Sequence, residues 1–139
     1  MGQMLSLNLE RNGFRVAGYD IDPNKRSEFL LKTAGKNIHT CNTVSELFDA
    51  LEKPHRILMM VPAGSTVDAV IRELKPYLIS GDLLMDGGNS HFSDTERRFR
   101  DLEEWSCHYL GVGISGGEAG ALWGPSIMPG GSIEGWQMI

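Results

Sequence analysis

Two short stretches of this chain bring together residue types that could handle a small polar ligand. Residues 86–90 read Asp-Gly-Gly-Asn-Ser, and residues 115–117 read Ser-Gly-Gly. An asparagine amide donates and accepts hydrogen bonds at once, and a serine hydroxyl does the same. Glycine leaves main-chain N–H groups uncovered, so an anionic or hydroxyl-rich ligand can approach them. The plainer reading of Asn89 is an asparagine tolerated in a left-handed turn. The two glycines before it already solve the turn, which favours the binding reading. Residues 111–131 hold eight of the seventeen glycines, a density that asks what comes so close to this backbone.

Other reactive side chains carry less. Cys41 and Cys107 form no metal or disulfide pattern and read as small buried apolar groups in a reduced setting. His91 follows the Asn89-Ser90 stretch and reads either as a ligand contact or as a surface residue at a helix start. His39, His55 and His108 have no partner pattern and receive no role. Arg97, Arg98 and Arg100 lie on a helix otherwise rich in acid and read as solvated or paired at the surface. Trp105, Trp123 and Trp136 read as packing residues. No metal site is expected.

The elements that must position these groups alternate. Residues 2–12 read as a helix closed by Gly13, 14–20 as a strand, and 23–34 as a helix with Asp22 as its cap and Phe29, Leu30 and Ala34 inward. Residues 38–41 form a short strand. Thr43 and Glu46 fit a capping box ahead of a face made by Val44, Leu47, Phe48 and Leu51. Strands follow at 55–61, 83–86 and 107–112, with helices at 65–78 and 92–104. This rhythm implies an α/β fold, a Rossmann-like doubly wound parallel sheet. In such sheets ligands sit beyond the carboxyl ends of the strands. Those ends are Tyr19-Asp20, residues 61–64 (Val-Pro-Ala-Gly), residues 86–90 and residues 113–117. The usual opening of strand and G-x-G-x-x-G is not found. Gly2 fits the last glycine of that fingerprint, so the sheet is expected to lack its first strand.

Composition agrees with one globular domain. The chain is 41% hydrophobic and 22% charged, with a formal net charge of −5. That charge argues against nucleic acid and anionic membranes as partners. The longest apolar run, residues 57–61, is too short to span a bilayer. A cytoplasmic setting follows as the expectation.

Taken together, residues 1–20, 61–64, 86–98 and 111–131 resemble the 6-phosphogluconate dehydrogenases, the decarboxylating enzymes of the pentose phosphate route, and the likeness runs from Met1 to Ile139. The specific stretch is Asp-Gly-Gly-Asn-Ser with the Ser-Gly-Gly and Gly-Pro-Ser-x-Met-Pro-Gly-Gly motifs downstream. The resemblance implies that Asn89, Ser115, Gly116 and Gly117 bind substrate. It implies that Gly2, Asp20, Val61, Pro62, Ala63 and Asn89 bind the nucleotide. It implies oxidation of a secondary alcohol, loss of carbon dioxide and protonation of the resulting enediol. The lysine and glutamate of that chemistry match no residue of 1–139, so no catalytic residue is assigned. NADP-using members carry Asn-Arg-Thr where this chain has Asp20-Ile21-Asp22. A carboxylate there suits the free ribose of NAD and repels a 2′-phosphate, so NAD is favoured while NADP stays open. Lys25 and Arg26 read as solvated, and Glu118 as a helix-start carboxylate. The family resemblance implies a homo-oligomer and a helical domain outside these residues. The 139-residue chain is thus expected to be an incomplete dinucleotide-binding domain, inactive alone. Another β-hydroxyacid dehydrogenase and a non-catalytic nucleotide-binding module are the alternatives.

Overall fold

Strands and helices alternate along the chain as their hydrophobic periods require. A computed structural model describes all 139 residues, Met1–Ile139. They divide into two compact units.

The first unit comprises Met1–Leu51 and Ser115–Pro125. It contains α1 (Gly2–Arg11), β1 (Val16–Gly18), α2 (Pro23–Lys32), β2 (Ile38–Thr40), α3 (Val44–Ala50) and α6 (Gly117–Trp123). β1 and β2 pair in parallel, Val16 opposite Ile38 and Gly18 opposite Thr40. Asp22 caps α2 by accepting from the Asn24 N–H at 2.8 Å. Thr43 caps α3 through the Glu46 N–H, and Glu46 reaches back to the Asn42 N–H at 2.7 Å. Leu5, Phe29, Cys41, Val44, Leu47 and Phe48 are buried. Leu30, expected inside, is 59% exposed. Ala34, also expected inside, is exposed as well, while Phe29 is buried as expected and Thr33 takes the next inward place. Phe29 fills the space against Gly18, where a Cβ would lie 2.6 Å from its ring.

The second unit comprises Glu52–Ile114 and Ser126–Ile139. It contains β3 (Arg56–Met59), α4 (Ser65–Leu74) with a following 3₁₀ turn (Lys75–Tyr77), β4 (Leu83–Asp86), α5 (Phe92–Glu103), β5 (His108–Ser115), β6 (Ser126–Gly131) and α7 (Ile133–Trp136). The sheet order is β3-β4-β5-β6, with β3 parallel to β4 and β4 parallel to β5. Val67, Ile71 and Leu74, at i, i+4 and i+7, form the buried face of α4. Leu83, Leu84, Tyr109 and Leu110 are almost fully buried, as strands covered on both sides should be.

His55 is not without a partner, as the sequence suggests. Its ring Nδ1 lies 2.8 Å from the Asp82 carboxylate, which also accepts from the His55 and Ile79 N–H groups. Both side chains are buried, so the pair seals the entries of β3 and β4. The tryptophans also depart from expectation. Trp123 is 71% and Trp136 56% exposed. Trp123 carries the Arg11 guanidinium 4.5 Å from its ring centroid, and Trp105 carries the Lys75 ammonium at 3.8 Å. Both contacts are within the range in which a cation is attracted to an aromatic face. Both cysteines are buried, and burial pushes both thiols up from their ordinary pKa.

Strand β6 departs from the expectation for a Gly- and Pro-containing stretch. Its glycines answer part of the question the sequence raises. A Cβ on Gly131 would lie 2.5 Å from the Tyr109 carbonyl oxygen, so what approaches there is the protein's own backbone.

Candidate functional site

In the second unit, β4 ends at Asp86 and the chain turns through Gly87, Gly88, Asn89 and Ser90 into α5. The Gly87 N–H still donates to the Met59 carbonyl at 2.9 Å, so the turn starts from the sheet itself. Asp86 is buried, and its carboxylate organises the whole turn. One oxygen accepts from the Gly88 N–H at 2.9 Å. The other accepts from the Ser90 hydroxyl at 2.6 Å, the Tyr109 hydroxyl at 3.0 Å and Arg98 Nη1 at 3.3 Å. A buried carboxylate requires such saturation, because an unpaired charge there would be costly.

Asn89 sits between two residues held by Asp86 and adopts a left-handed conformation, φ 54°. Its Oδ1 accepts from the Ile114 N–H at 3.1 Å and its Nδ2 donates to the Ile114 carbonyl at 3.4 Å. Each end of the amide has a second valence for a ligand. Ile114 is the residue directly before Ser115. Both readings of Asn89 therefore meet in one residue: it makes a left-handed turn, and its amide is aligned by the end of β5.

The second and third sequence-predicted groups of this unit lie together. A Cβ on Gly88 would stand 2.6 Å from the Val61 carbonyl oxygen. Only glycine therefore lets this turn rest on the Val61, Pro62 and Ala63 loop. Arg98 closes the same arrangement. The sequence alone suggests a surface position for it; it is 1% exposed. Its Nε and Nη2 grip both Asp68 carboxylate oxygens at 2.9 and 3.1 Å, Nη2 also donates to the Gly64 carbonyl at 2.9 Å, and Nη1 donates to Ser90 Oγ at 3.1 Å. The correction has a physical reason. α5 has few apolar residues, and Arg98 shares its inward stripe with Leu102, where the acidic groups of α4 and β4 neutralise it. Arg97 and Arg100 remain outside, Arg97 on Asp68, Asp94 and Asp101, and Arg100 near Glu96.

The electrostatics follow from these bonds. Hydrogen bonds from Arg98, and then Arg97, bring the Asp68 carboxyl down to about 2 against the opposing effect of partial burial. Burial, reinforced by the Asp86 carboxylate, pushes the Tyr109 phenol well above its ordinary value. His91 caps α5, its Nδ1 accepting from the Ser93 N–H at 3.4 Å. Asn89, Ser90, Tyr109, Gly113, Glu96 and Arg100 border an open cleft of about 790 Å³.

The first unit holds the remaining candidates. Asp20 follows β1, and its carboxylate accepts from the Asp22 N–H at 2.9 Å. Arg26, expected in solvent, instead donates from Nη1 to the Asp20 and Ile21 carbonyls at 2.7 and 3.1 Å. Gly2 opens α1, whose N-terminus has no side-chain cap. Thr40 Oγ1, at the carboxyl end of β2, is buried without a hydrogen-bond partner. A carboxylate and an orphaned hydroxyl are groups that suit the hydroxyls of a ribose. Gly116 and Gly117, at φ 132° and 62°, turn the chain after Ser115 into α6, with Glu118 in its first turn.

Sequence reasoning does not find Asp86, Arg98 and Asp68 as the scaffold of the Asn89 turn. The one signal is an arginine, Arg98, four residues before Leu102 on a helical face.

Comparison with known proteins bears on this geometry. A family described as the NAD binding domain of 6-phosphogluconate dehydrogenase matches residues 1–139. A 6-phosphogluconate dehydrogenase of Synechocystis, decarboxylating by name, is 53% identical over 133 residues, covering 95% of this chain and 28% of the relative. The NADP(+)-dependent decarboxylating enzyme of Bacillus subtilis is 46% identical over the whole chain and 30% of its own length. The chain thus spans less than a third of the curated relatives it matches. The Plasmodium falciparum 6-phosphogluconate dehydrogenase, solved apo, with NADP+ and with 6-phosphogluconate, superposes with a TM-score of 0.93 at 37% identity, covering 99% of this chain and 30% of that one. A Mycobacterium tuberculosis 3-hydroxyisobutyrate dehydrogenase shares the fold at 21% identity, TM-score 0.83, over 99% of this chain and 45% of that one. The fold is the Rossmann-like α/β arrangement of these dehydrogenases, and this chain belongs to the family of NAD(P)-binding domains of 6-phosphogluconate dehydrogenase.

Proposed function

We propose that the chain supplies the nucleotide-binding part of an enzyme that oxidatively decarboxylates 6-phosphogluconate to ribulose 5-phosphate, in the pentose phosphate pathway of the cytoplasm and as a homo-oligomer. The observation that carries this reading is Asn89, held left-handed with its amide aligned on Ile114 immediately before Ser115. Bound nicotinamide would accept the hydride of the substrate's secondary alcohol. The chain's own residues bind and orient. Asn89 would offer its remaining donor and acceptor to nicotinamide and substrate; Ser115, Gly116 and Gly117 would offer a hydroxyl and bare N–H groups to the sugar acid. Val61, Pro62 and Ala63 would line the adenosine side, and Gly2 would meet the pyrophosphate. The proton-transferring lysine and glutamate implied by the family resemblance are assigned to no residue of 1–139.

NAD is the favoured nucleotide. Asp20 would bond a free ribose and repel a 2′-phosphate. Arg26 Nη1 is tied to the Asp20 and Ile21 carbonyls, so this cation already serves the loop that carries Asp20. The test uses the intact protein bearing this chain. Oxidation of 6-phosphogluconate with release of carbon dioxide is expected, with kcat/KM higher for NAD than for NADP. Asp20→Asn should narrow that preference about tenfold, ~1.4 kcal/mol. Absence of turnover with either nucleotide would overturn the function; tighter binding of NADP by the wild type would overturn the preference alone.

A further inference from the structure

The buried guanidinium of Arg98 has no part in the proposed function as stated, and it ties together both loops of the second unit's candidate site. It bonds the Gly64 carbonyl, at the end of the loop that begins with Val61. It also bonds Ser90 Oγ and the Asp86 carboxylate, on either side of Asn89 in sequence. Its own charge is balanced by a two-pronged pair with Asp68 on α4. Arginine suits this task because its planar fork offers five donors in fixed directions, where lysine offers a point charge on a flexible stem.

We propose that Arg98 is a positioning residue: it holds the residue 61–64 loop and the residue 86–90 turn at a fixed separation, and keeps the Asn89 amide in its Ile114-bonded orientation. Gly88 rests on the Val61 carbonyl by close approach, which limits how near the two loops can come but does not stop them parting. Asp86 holds Gly88 and Ser90, and it does so with a charge that the guanidinium helps to balance inside the protein. Asparagine tolerates the left-handed conformation by itself, so what Arg98 adds is the aim of the Asn89 amide at Ile114, which would loosen without it.

The inference rests on the proposed role of Asn89, and its test separates the two. Arg98→Lys and Ser90→Ala are made in the intact protein. The serine variant keeps the buried charges paired, so it reports even where the arginine variant fails to fold. The first readout is structural: in crystals of either variant, Asn89 Oδ1 should move away from the Ile114 N–H, which lies at 3.1 Å in the wild type. The second is kinetic: kcat with 6-phosphogluconate should fall about 10–100-fold, the scale of a misplaced orienting group, while KM for the nucleotide moves less than about threefold. A folded Ser90→Ala protein with Asn89 still on Ile114, or with wild-type kcat, would overturn the proposal. If the wild type oxidises no 6-phosphogluconate at all, the proposed function fails, and the Asn89–Ile114 distance in the variants still decides the role of Arg98.

Discussion

Gly88 shows how much one missing carbon decides. Its ideal Cβ position lies 2.6 Å from the Val61 carbonyl oxygen and 3.1 Å from the Asp86 carboxylate. The first is backbone and cannot swing away, so the whole turn would have to lift from the Val61 loop. Gly88→Ala should therefore destabilise the protein by about 1–3 kcal/mol, the usual cost of overpacking. It should also weaken nucleotide binding more than a surface substitution of equal stability cost. Thermal melts together with NADH titration check both parts; an unchanged melting temperature would mean that the turn does not rest on Val61. The need for glycine at this place is legible in the sequence, because two glycines before an asparagine announce a tight approach. What approaches is not. Val61 lies far back along the chain, and no local pattern links a carbonyl oxygen to a glycine across a sheet. Arg98 escapes sequence reading for the same reason. An arginine beside Arg97 and Arg100 looks like part of a solvated face, and only the partners on α4 and β4, Asp68 and Asp86, turn it inward.

Elements are more legible than residues, and the failures have identifiable causes. α4 announces itself through Val67, Ile71 and Leu74, and α2 and α3 through their caps at Asp22 and Thr43, because these signals are local in sequence. β6 gives no such signal. Pro129, Gly130 and Gly131 argue against a strand in isolation, and the segment pairs only because β5 offers an edge against which glycines can lie flat. The α4–α5 pairing carries a prediction at this scale. Asp68 joins the two helices, and its carboxyl titrates at about 2 instead of the ordinary 3.8. The folded state thus holds the proton less tightly than the unfolded state. The pairing stabilises fully above about pH 4, and the stabilisation is lost as pH falls from there toward about 2. Because the Asp68 side chain is partly exposed, the loss should be on the order of 1 kcal/mol. Urea midpoints measured from pH 6 to pH 3 should show a shallower acid decline in Asp68→Asn than in the wild type, since the variant has already lost what acid removes. Parallel declines would mean that the Arg98–Asp68 pair contributes nothing measurable.

For the chain as a whole, strand pairing and surface composition point to association. The six strands fall into a two-stranded and a four-stranded sheet, so β1, β2, β3 and β6 are all edge strands. Edges present unpaired N–H and C=O groups to any neighbour that can align with them. Ile21, Leu31, Phe92, Trp123 and Ile133 are all strongly exposed. Each offers apolar surface to a second copy of the chain. Opposing this is charge. The isoelectric point is about 5.3, and the formal net charge at pH 7 is −5. Molecules of this chain therefore repel one another at neutral pH and cease to do so as pH falls toward 5.3. The 139-residue chain should accordingly self-associate at concentrations on the order of tens of micromolar, where exposed apolar surface and strand edges meet partners. Association should strengthen as pH falls from neutral toward the isoelectric point, and also when salt screens the repulsion at neutral pH. Sedimentation velocity across that pH and salt range reads the outcome directly. A single monomeric species under every condition would mean that the exposed side chains and strand edges do not recruit a second copy, and that charge is not what keeps the molecules apart.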